Sequence, residues 1–165
     1  KWIGRLDLNA RDMDGWSGLH YIAYLSDSAC INPHNLMDVS HAVHAELLKI
    51  KDSLDFNIRN LNGDTLIHVA SAEANIVFLT WCYHSIKSIV WNVKNNVGDT
   101  PLHCACREIK GTELYPLRRS TINLLLSVRN DSDTKNDAGE TPVDLLPSQL
   151  KLLKTQIKRG EIKLF

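Results

Sequence analysis

The sequence predicts an all-α fold: helix-turn-helix units joined by short β-hairpin turns and stacked side by side as a solenoid. Two observations predict it. The stretch Gly98-Asp99-Thr100-Pro101-Leu102-His103-Cys104-Ala105-Cys106 recurs, increasingly degraded, three more times along the chain. The copies are Gly15-Trp16-Ser17-Gly18-Leu19-His20 with Ala23, Gly63-Asp64-Thr65-Leu66-Ile67-His68 with Ala70, and Gly139-Glu140-Thr141-Pro142-Val143-Asp144. A second element keeps the same phase: six residues before each turn Gly stands Asn9, Asn57, Asn92 or Asp133, and four before it Arg11, Arg59, Lys94 or Lys135.

Each part of the unit has a mechanical reason. Gly takes the positive φ that a tight turn requires, Thr or Ser caps the helix that follows, and Pro sits at the first helical position, where no backbone donor is lost. Leu then opens a buried face. The His, three residues after the cap, has ring nitrogens placed to satisfy neighbouring loop groups. Thr100-Pro101-Leu102-His103-Cys104-Ala105 resembles, residue for residue, the T-P-L-H-x-A signature of the ankyrin repeat, and Leu6-Asp7-Leu8-Asn9-Ala10-Arg11-Asp12 is similar to that family's strand entering the hairpin. The resemblance spans nearly the whole chain in four phased copies. It implies an ankyrin-repeat solenoid with a period of about 33 residues, against which the three Gly-to-Gly intervals carry about 15, 2 and 8 extra residues.

On that phase, 1–165 is a single domain: 1–11 the tail of a preceding repeat, 12–56 a repeat with a long insertion, 57–91 a repeat, 92–132 a repeat with an insertion, and 133–165 a C-terminal capping repeat. In the first repeat an inner helix is expected from Ser17 to Leu25 and an outer one from Val39 to Ile50, with the insertion, including Asn32-Pro33-His34, as the loop between them. In the second, the inner helix begins at Thr65, and Ile76 to Tyr83 is apolar nearly all round, as in a helix buried between neighbours. In the third, the inner helix starts at Thr100, the outer one carries Ile122, Leu124, Leu125 and Leu126, and Gly111 and Pro116 mark a second long loop. In the fourth, Asp144 replaces His and Pro147 stops the inner helix after about a turn. Ser148 then caps a last helix whose Leu150, Leu153 and Ile157 share a face, ending at Gly160. Its lysines and Arg159 fall mostly on the other side, which suits the soluble outer face of a terminal repeat.

The 19 basic and 19 acidic residues cancel, so no global field draws the chain to nucleic acid or membrane, and neither is an expected partner. Cys30, Cys82, Cys104 and Cys106 show no secreted disulfide framework, and Cys104 and Cys106, two apart on one helix, point to different sides. A reducing, intracellular compartment is expected, cytoplasm or nucleus, or that of a host cell for an effector. Lys1-Trp2-Ile3-Gly4-Arg5 lacks a signal-peptide apolar region, and the apolar stretches are too short to span a bilayer. The chain is expected to be a fragment of a longer protein, beginning in the tail of an earlier repeat.

Several residue groups invite a chemical role. His20, His68 and His103 occupy the same place in successive repeats, so they lie about one repeat apart and cannot converge on one ion; their expected role is structural. His103-Cys104 and Cys106 resemble a thiolate motif, but the family has small residues there and Cys packs as one. Cys30, His34, His41 and His44 cluster in or beside the first insertion, with His41 and His44 on one helical face, and form the one candidate zinc set; a solvated loop with incidental histidines is the expectation, and no metal or other cofactor is expected. No Gly-x-Ser-x-Gly elbow, His-Glu-x-x-His or phosphate-cradling loop occurs, so the chain is not expected to be an enzyme. The family resemblance also implies Asn9, Asn57 and Asn92 as candidates for asparaginyl hydroxylation, while the expected reason for Asn there is that it suits the turn.

The resemblance implies a binding module. Ankyrin arrays receive a partner along the concave face made by hairpin tips and inner helices, which carries over to the residue after each turn Gly and the fourth and fifth after each His. Those are Trp16, Tyr24 and Leu25; Asp64, Ala72 and Glu73; Asp99, Arg107 and Glu108; and Glu140. A partner protein is expected to set an apolar anchor near the aromatic cluster of Trp16 and Tyr24 and basic residues over Asp64, Asp99 and Glu140; the alternative for Trp16 is that it folds down on an adjacent missing repeat. The chain is expected to be monomeric. The alternative readings are the recruiting segment of a larger enzyme or pathogen effector, of ubiquitin-ligase adaptor type, and an I-kappa-B-like inhibitor of a transcription factor.

Overall fold

The computed structural model describes residues 7–25, 33–107, 115–128, 132–147 and 151–159, and its regular secondary structure there is helical. In chain order come α1 (Gly18–Tyr24), α2 (Pro33–Ile50) with a 3-10 turn at Lys51–Ser53, α3 (Leu66–Ala72), α4 (Ile76–Ser85), α5 (Pro101–Cys106), α6 (Tyr115–Val128), a 3-10 turn at Pro142–Leu145, and α7 (Lys151–Lys158). Among the described residues no β-strand forms. The hairpins contribute only isolated bridges, Arg11 to Ser17 and Arg59 to Thr65.

Each short helix begins as its residues dictate. The turn glycines sit at positive φ, from 74° to 80°, and the next-but-one residue, Ser17, Thr65, Thr100 or Thr141, is an extended N-cap. α1 packs on α3, α3 on α5, and α5 on the turn at Pro142–Leu145, while α4 packs on α6 behind them. Ala23, Ala70 and Ala105 are fully buried along the inner row, where a methyl lets neighbouring helices approach. Leu19, Leu66 and Leu102 fill the space beside them, each contributing about 1.5–3 kcal/mol when fully buried. Behind them, Leu47 of α2, Phe78 and Leu79 of α4, and Ile122 of α6 complete the core.

The structure departs from the expected elements in three places. Pro33 and His34, expected in a loop, open α2, where proline at the first position loses no hydrogen bond. Residues 33–38 thereby lengthen the outer helix by about 1.7 turns, while 26–32 lie outside the described residues. Pro116 likewise lies in the first turn of α6, while Gly111 is outside the described residues. Residues 7–12, expected as a strand, form a turn closed by Ala10 N–H to Asp7 O (3.0 Å), with one bridging residue after it. The inner helix of the fourth unit is shortened to the 3-10 turn before Pro147, as expected, and Ile157 of α7 is buried. Ser148, Leu150 and Gly160 lie outside the described residues, as does the side chain of Leu153.

Candidate functional site

A repeated set of polar bonds fixes the hairpins and decides which side chains remain for a ligand. In each hairpin the residue three before the Gly is Asp or Asn. Its side-chain oxygen accepts two backbone N–H groups: Asp12 from Asp14 and Trp16, Asn60 from Asn62 and Asp64, Asn95 from Val97 and Asp99, Asn136 from Ala138 and Glu140. Successive hairpins are joined by backbone bonds from Leu61 N–H to Asp14 O, Asn96 N–H to Asn62 O and Asp137 N–H to Val97 O, at 3.0–3.1 Å. Asn9 and Asn57 staple the units from the other end. Asn57 donates to Ser88 O (2.8 Å) and accepts from Val90 N–H (2.9 Å), and Asn9 does the same with Ser53 O and Asp55 N–H. Both carboxamides are engaged in stacking, which accounts for Asn at these positions.

The phased histidines serve the same purpose. In each, Nδ1 accepts the backbone N–H and the hydroxyl of its own N-cap, Ser17, Thr65 or Thr100. Nδ1 therefore carries no proton, and the Nε2–H donates to a backbone carbonyl of the next hairpin: His20 to Asp64 (3.2 Å), His68 to Asp99 (3.0 Å), His103 to Glu140 (3.1 Å). Burial is the main cause of a pKa below 6.5 in all three, opposed by that carbonyl bond. Asp144 makes the two cap bonds with Thr141 through Oδ2, but an ionised carboxylate has no proton to pass on.

The residues expected to bind a partner fall into two groups. The first is an aromatic ridge. Trp16, half-buried, packs against Tyr24 edge-on at 5.8 Å and against Tyr21 at 5.2 Å. Tyr24 and Leu25 are 47% and 59% exposed. Tyr21, which the motif reading passed over, is 51% exposed and donates its hydroxyl to Asp12 Oδ2 at 2.5 Å. That bond lowers the Asp12 carboxyl pKa and raises that of the Tyr21 phenol. Met13, Leu61 and Val97, exposed at the hairpin tips, were also missed. Their signal is positional, one or two residues before each Gly.

The second group is polar and largely consumed by the fold. Asp64 accepts Asn95 Nδ2 at 2.7 Å. Asp99 is 3% exposed, accepts Asn136 Nδ2 at 2.8 Å and pairs with Arg107 at 2.5 Å. Glu140 shares Asn136 Nδ2 at 3.2 Å. Arg107, Asp99, Asn136 and Glu140 line, with Val97 and Ala138, an open groove of about 530 Å³. Of the acids expected to meet a basic partner, Asp64 and Asp99 therefore act first as acceptors that bind one hairpin to the next and Glu140 as one within its own hairpin, and Asp99 is too buried to meet a partner directly. Glu73 is half-buried, its carboxyl pKa raised by burial. Ala72 is half-buried too, and its carbonyl accepts Arg118 Nη2 at 3.1 Å. Glu108 lies outside the described residues.

The metal and thiol candidates separate. Cys30 lies outside the described residues, as do the side chains of His34 and His41. His44 is buried, stacked on Trp81 of α4 at 4.7 Å and 9°, with Phe78 beside it. Among the described residues no group of three or more His, Cys, Asp or Glu is placed to hold a metal ion. Cys82, Cys104 and Cys106 are free thiols whose pKa burial raises, for Cys106 to about 12. They are unreactive as thiolates at neutral pH.

Arg118 of α6, invisible to the motif reading, is 3% exposed and ties two inner helices together. It donates to Ala105 O (2.8 Å) and Arg107 O (3.4 Å) at the end of α5 as well as to Ala72 O at the end of α3. Asn75, the N-cap of α4, does the same for α1, donating to Ala23 O and Leu25 O at 3.1 Å. It thereby fixes the backbone that carries Tyr24 and Leu25. Among the described residues no helix is long and apolar enough to cross a membrane. The chain matches no protein-family model and none of the curated proteins searched.

Proposed function

We propose that the chain is an array of ankyrin repeats that binds a partner protein, without catalysis, along the face made by its hairpin tips and the inner helices α1, α3 and α5. The observation that carries this reading is the ridge in which Tyr21, Tyr24 and Leu25 stay about half exposed around a half-buried Trp16 seated on the core. Exposed Met13 and Leu61 extend it across the hairpin tips. Large aromatics of this kind carry a disproportionate share of binding energy at protein interfaces, and repeat stacks offer extended surfaces instead of reaction centres. The non-catalytic part of the proposal is supported by the fate of the reactive residues. Each phased His is occupied by its cap and the next hairpin, and the three described thiols, Cys82 and Cys106 buried and Cys104 half-buried, have pKa values raised by burial. The repeat boundaries are those of the sequence phase, and an intracellular, monomeric module is part of the same proposal.

The test is recovery of partners from eukaryotic cytosol on three immobilised proteins: the parent, Trp16→Ala/Tyr24→Ala, and Tyr83→Ala, which alters an exposed aromatic of α4. A protein held by the parent and Tyr83→Ala but lost by the double variant is expected. Equal recovery on all three would remove the ridge from the binding site.

A further inference from the structure

We infer that Trp16 is the anchor of that binding face, retained although it breaks a seam the later hairpins keep, and that its occupant is a partner segment pairing an apolar side chain with a nearby arginine or lysine. The inference rests on the protein-binding reading above and deepens it. Between the second and third hairpins Asn95 Nδ2 donates to Asp64 Oδ1, and between the third and fourth Asn136 Nδ2 donates to Asp99 Oδ1. Between the first and second, Trp16 stands where the acid should be, and Asn60 Nδ2 has no partner. Asn60 is only 6% exposed. Its Oδ1 holds the N–H groups of Asn62 and Asp64 at 3.0 and 2.9 Å, as Asn95 and Asn136 hold theirs. The carboxamide is thus held through Oδ1 as its counterparts are, and its NH2 is the counterpart of the amides that meet Asp64 and Asp99.

A buried donor left unmet destabilises the fold, and an Asp at position 16 would meet it. What Trp16 supplies instead is a half-buried indole, packed on the core from beneath and flanked by Tyr21 and Tyr24, continuous with exposed Leu25 and Met13. The charge around this ridge sets the partner's chemistry. Asp12 and Asp14 are exposed in the same hairpin, Asp64 is half-buried in the next, and Glu73 holds in the second unit the place of Leu25 in the first. Arg11 is the one cation of the first hairpin. An apolar side chain on Trp16, Tyr24 and Leu25 with a cation reaching Asp12, Asp14 or Asp64 fits both features.

The experiment has two arms on the full chain. In the first, thermal melts compare Trp16→Ala and Trp16→Asp with and without Asn60→Ala. Trp16→Asp should melt about 2–6 °C above Trp16→Ala, and Asn60→Ala should erase the difference. No difference, or one that survives Asn60→Ala, overturns the seam. In the second, a phage library of random twelve-residue peptides is selected on the parent. The expected consensus pairs Arg or Lys with an apolar residue, and its affinity falls at least ten-fold in both Trp16 variants. An acidic or uncharged consensus overturns the occupant. Peptides that tolerate Trp16→Ala but fail with Val97→Asp overturn the anchor and leave the binding face standing. An empty selection, or peptides indifferent to both changes, removes the face and the inference together.

Discussion

Replacing Gly63 by Ala should cost far more than the same change at Gly139, although both glycines have nearly the same backbone geometry, φ 76° and 80°. The left-handed conformation alone costs an alanine about 1–2 kcal/mol at either site. At Gly139 nothing lies within 4 Å of the added carbon, so that is the whole effect. At Gly63 the methyl would overlap the Asn96 carboxamide oxygen and come within 2.8 Å of the Asn96 backbone nitrogen. Those atoms belong to the junction with the next hairpin, through Asn96 Nδ2 to Leu61 O (2.8 Å) and Asn96 N–H to Asn62 O (3.0 Å). Losing or stretching both adds about 1–3 kcal/mol. Urea denaturation of the two variants should therefore separate them by at least about 1 kcal/mol, with Gly63→Ala the less stable. Equal losses, within about 0.5 kcal/mol, would refute the claim that hairpin-to-hairpin contact makes glycine obligatory there.

Two further outcomes follow from the buried polar groups. His20, His68 and His103 have folded pKa values below 6.5, so the unfolded chain binds more protons in the interval beneath that value. Their contribution is complete above pH 6.5 and is lost as pH falls through the folded pKa; Glu73, whose pKa is raised, acts in the opposite sense. The denaturation midpoint should fall from pH 7 to pH 5, and less steeply in His68→Gln; an unchanged slope would contradict the unprotonated Nδ1. Arg118→Met should cost about 2–4 kcal/mol, because carbonyls at the ends of two helices lose their donor. Arg118→Lys should not rescue it, since one ammonium cannot reproduce the spread of a guanidinium. A lysine variant as stable as the parent in the same denaturation assay would refute the bridging role.

The sequence by itself determined the parts whose partners lie within a few residues. A Gly that must turn, a Thr or Ser that must cap, and a His three residues on make bonds inside one short stretch, so four copies of the stretch announce four hairpin-to-helix units. The aromatic pairing of Trp16 with Tyr24 was legible for the same reason, whereas α4, apolar nearly all round and expected to be buried between neighbours, buries only Phe78, Leu79 and Cys82 and leaves Tyr83 51% exposed. What ran wrong was chain continuation. Pro33 and Pro116 look like breakers in sequence, yet each is harmless in a first turn, and only packing decides whether a helix follows it.

Tertiary structure alone decided which polar side chains remain free. Asp64, Asp99 and Glu140 read as a row of surface acids, but Asp64 and Asp99 each accept an amide from the next hairpin, more than 30 residues away, and Glu140 accepts Asn136 of its own hairpin. Arg118 reaches two helices that no local pattern links to it. The lone Asn60 donor carries no mark in the sequence, because an unmet hydrogen bond exists only once the neighbouring hairpin is in place and the residue opposite proves to be a tryptophan.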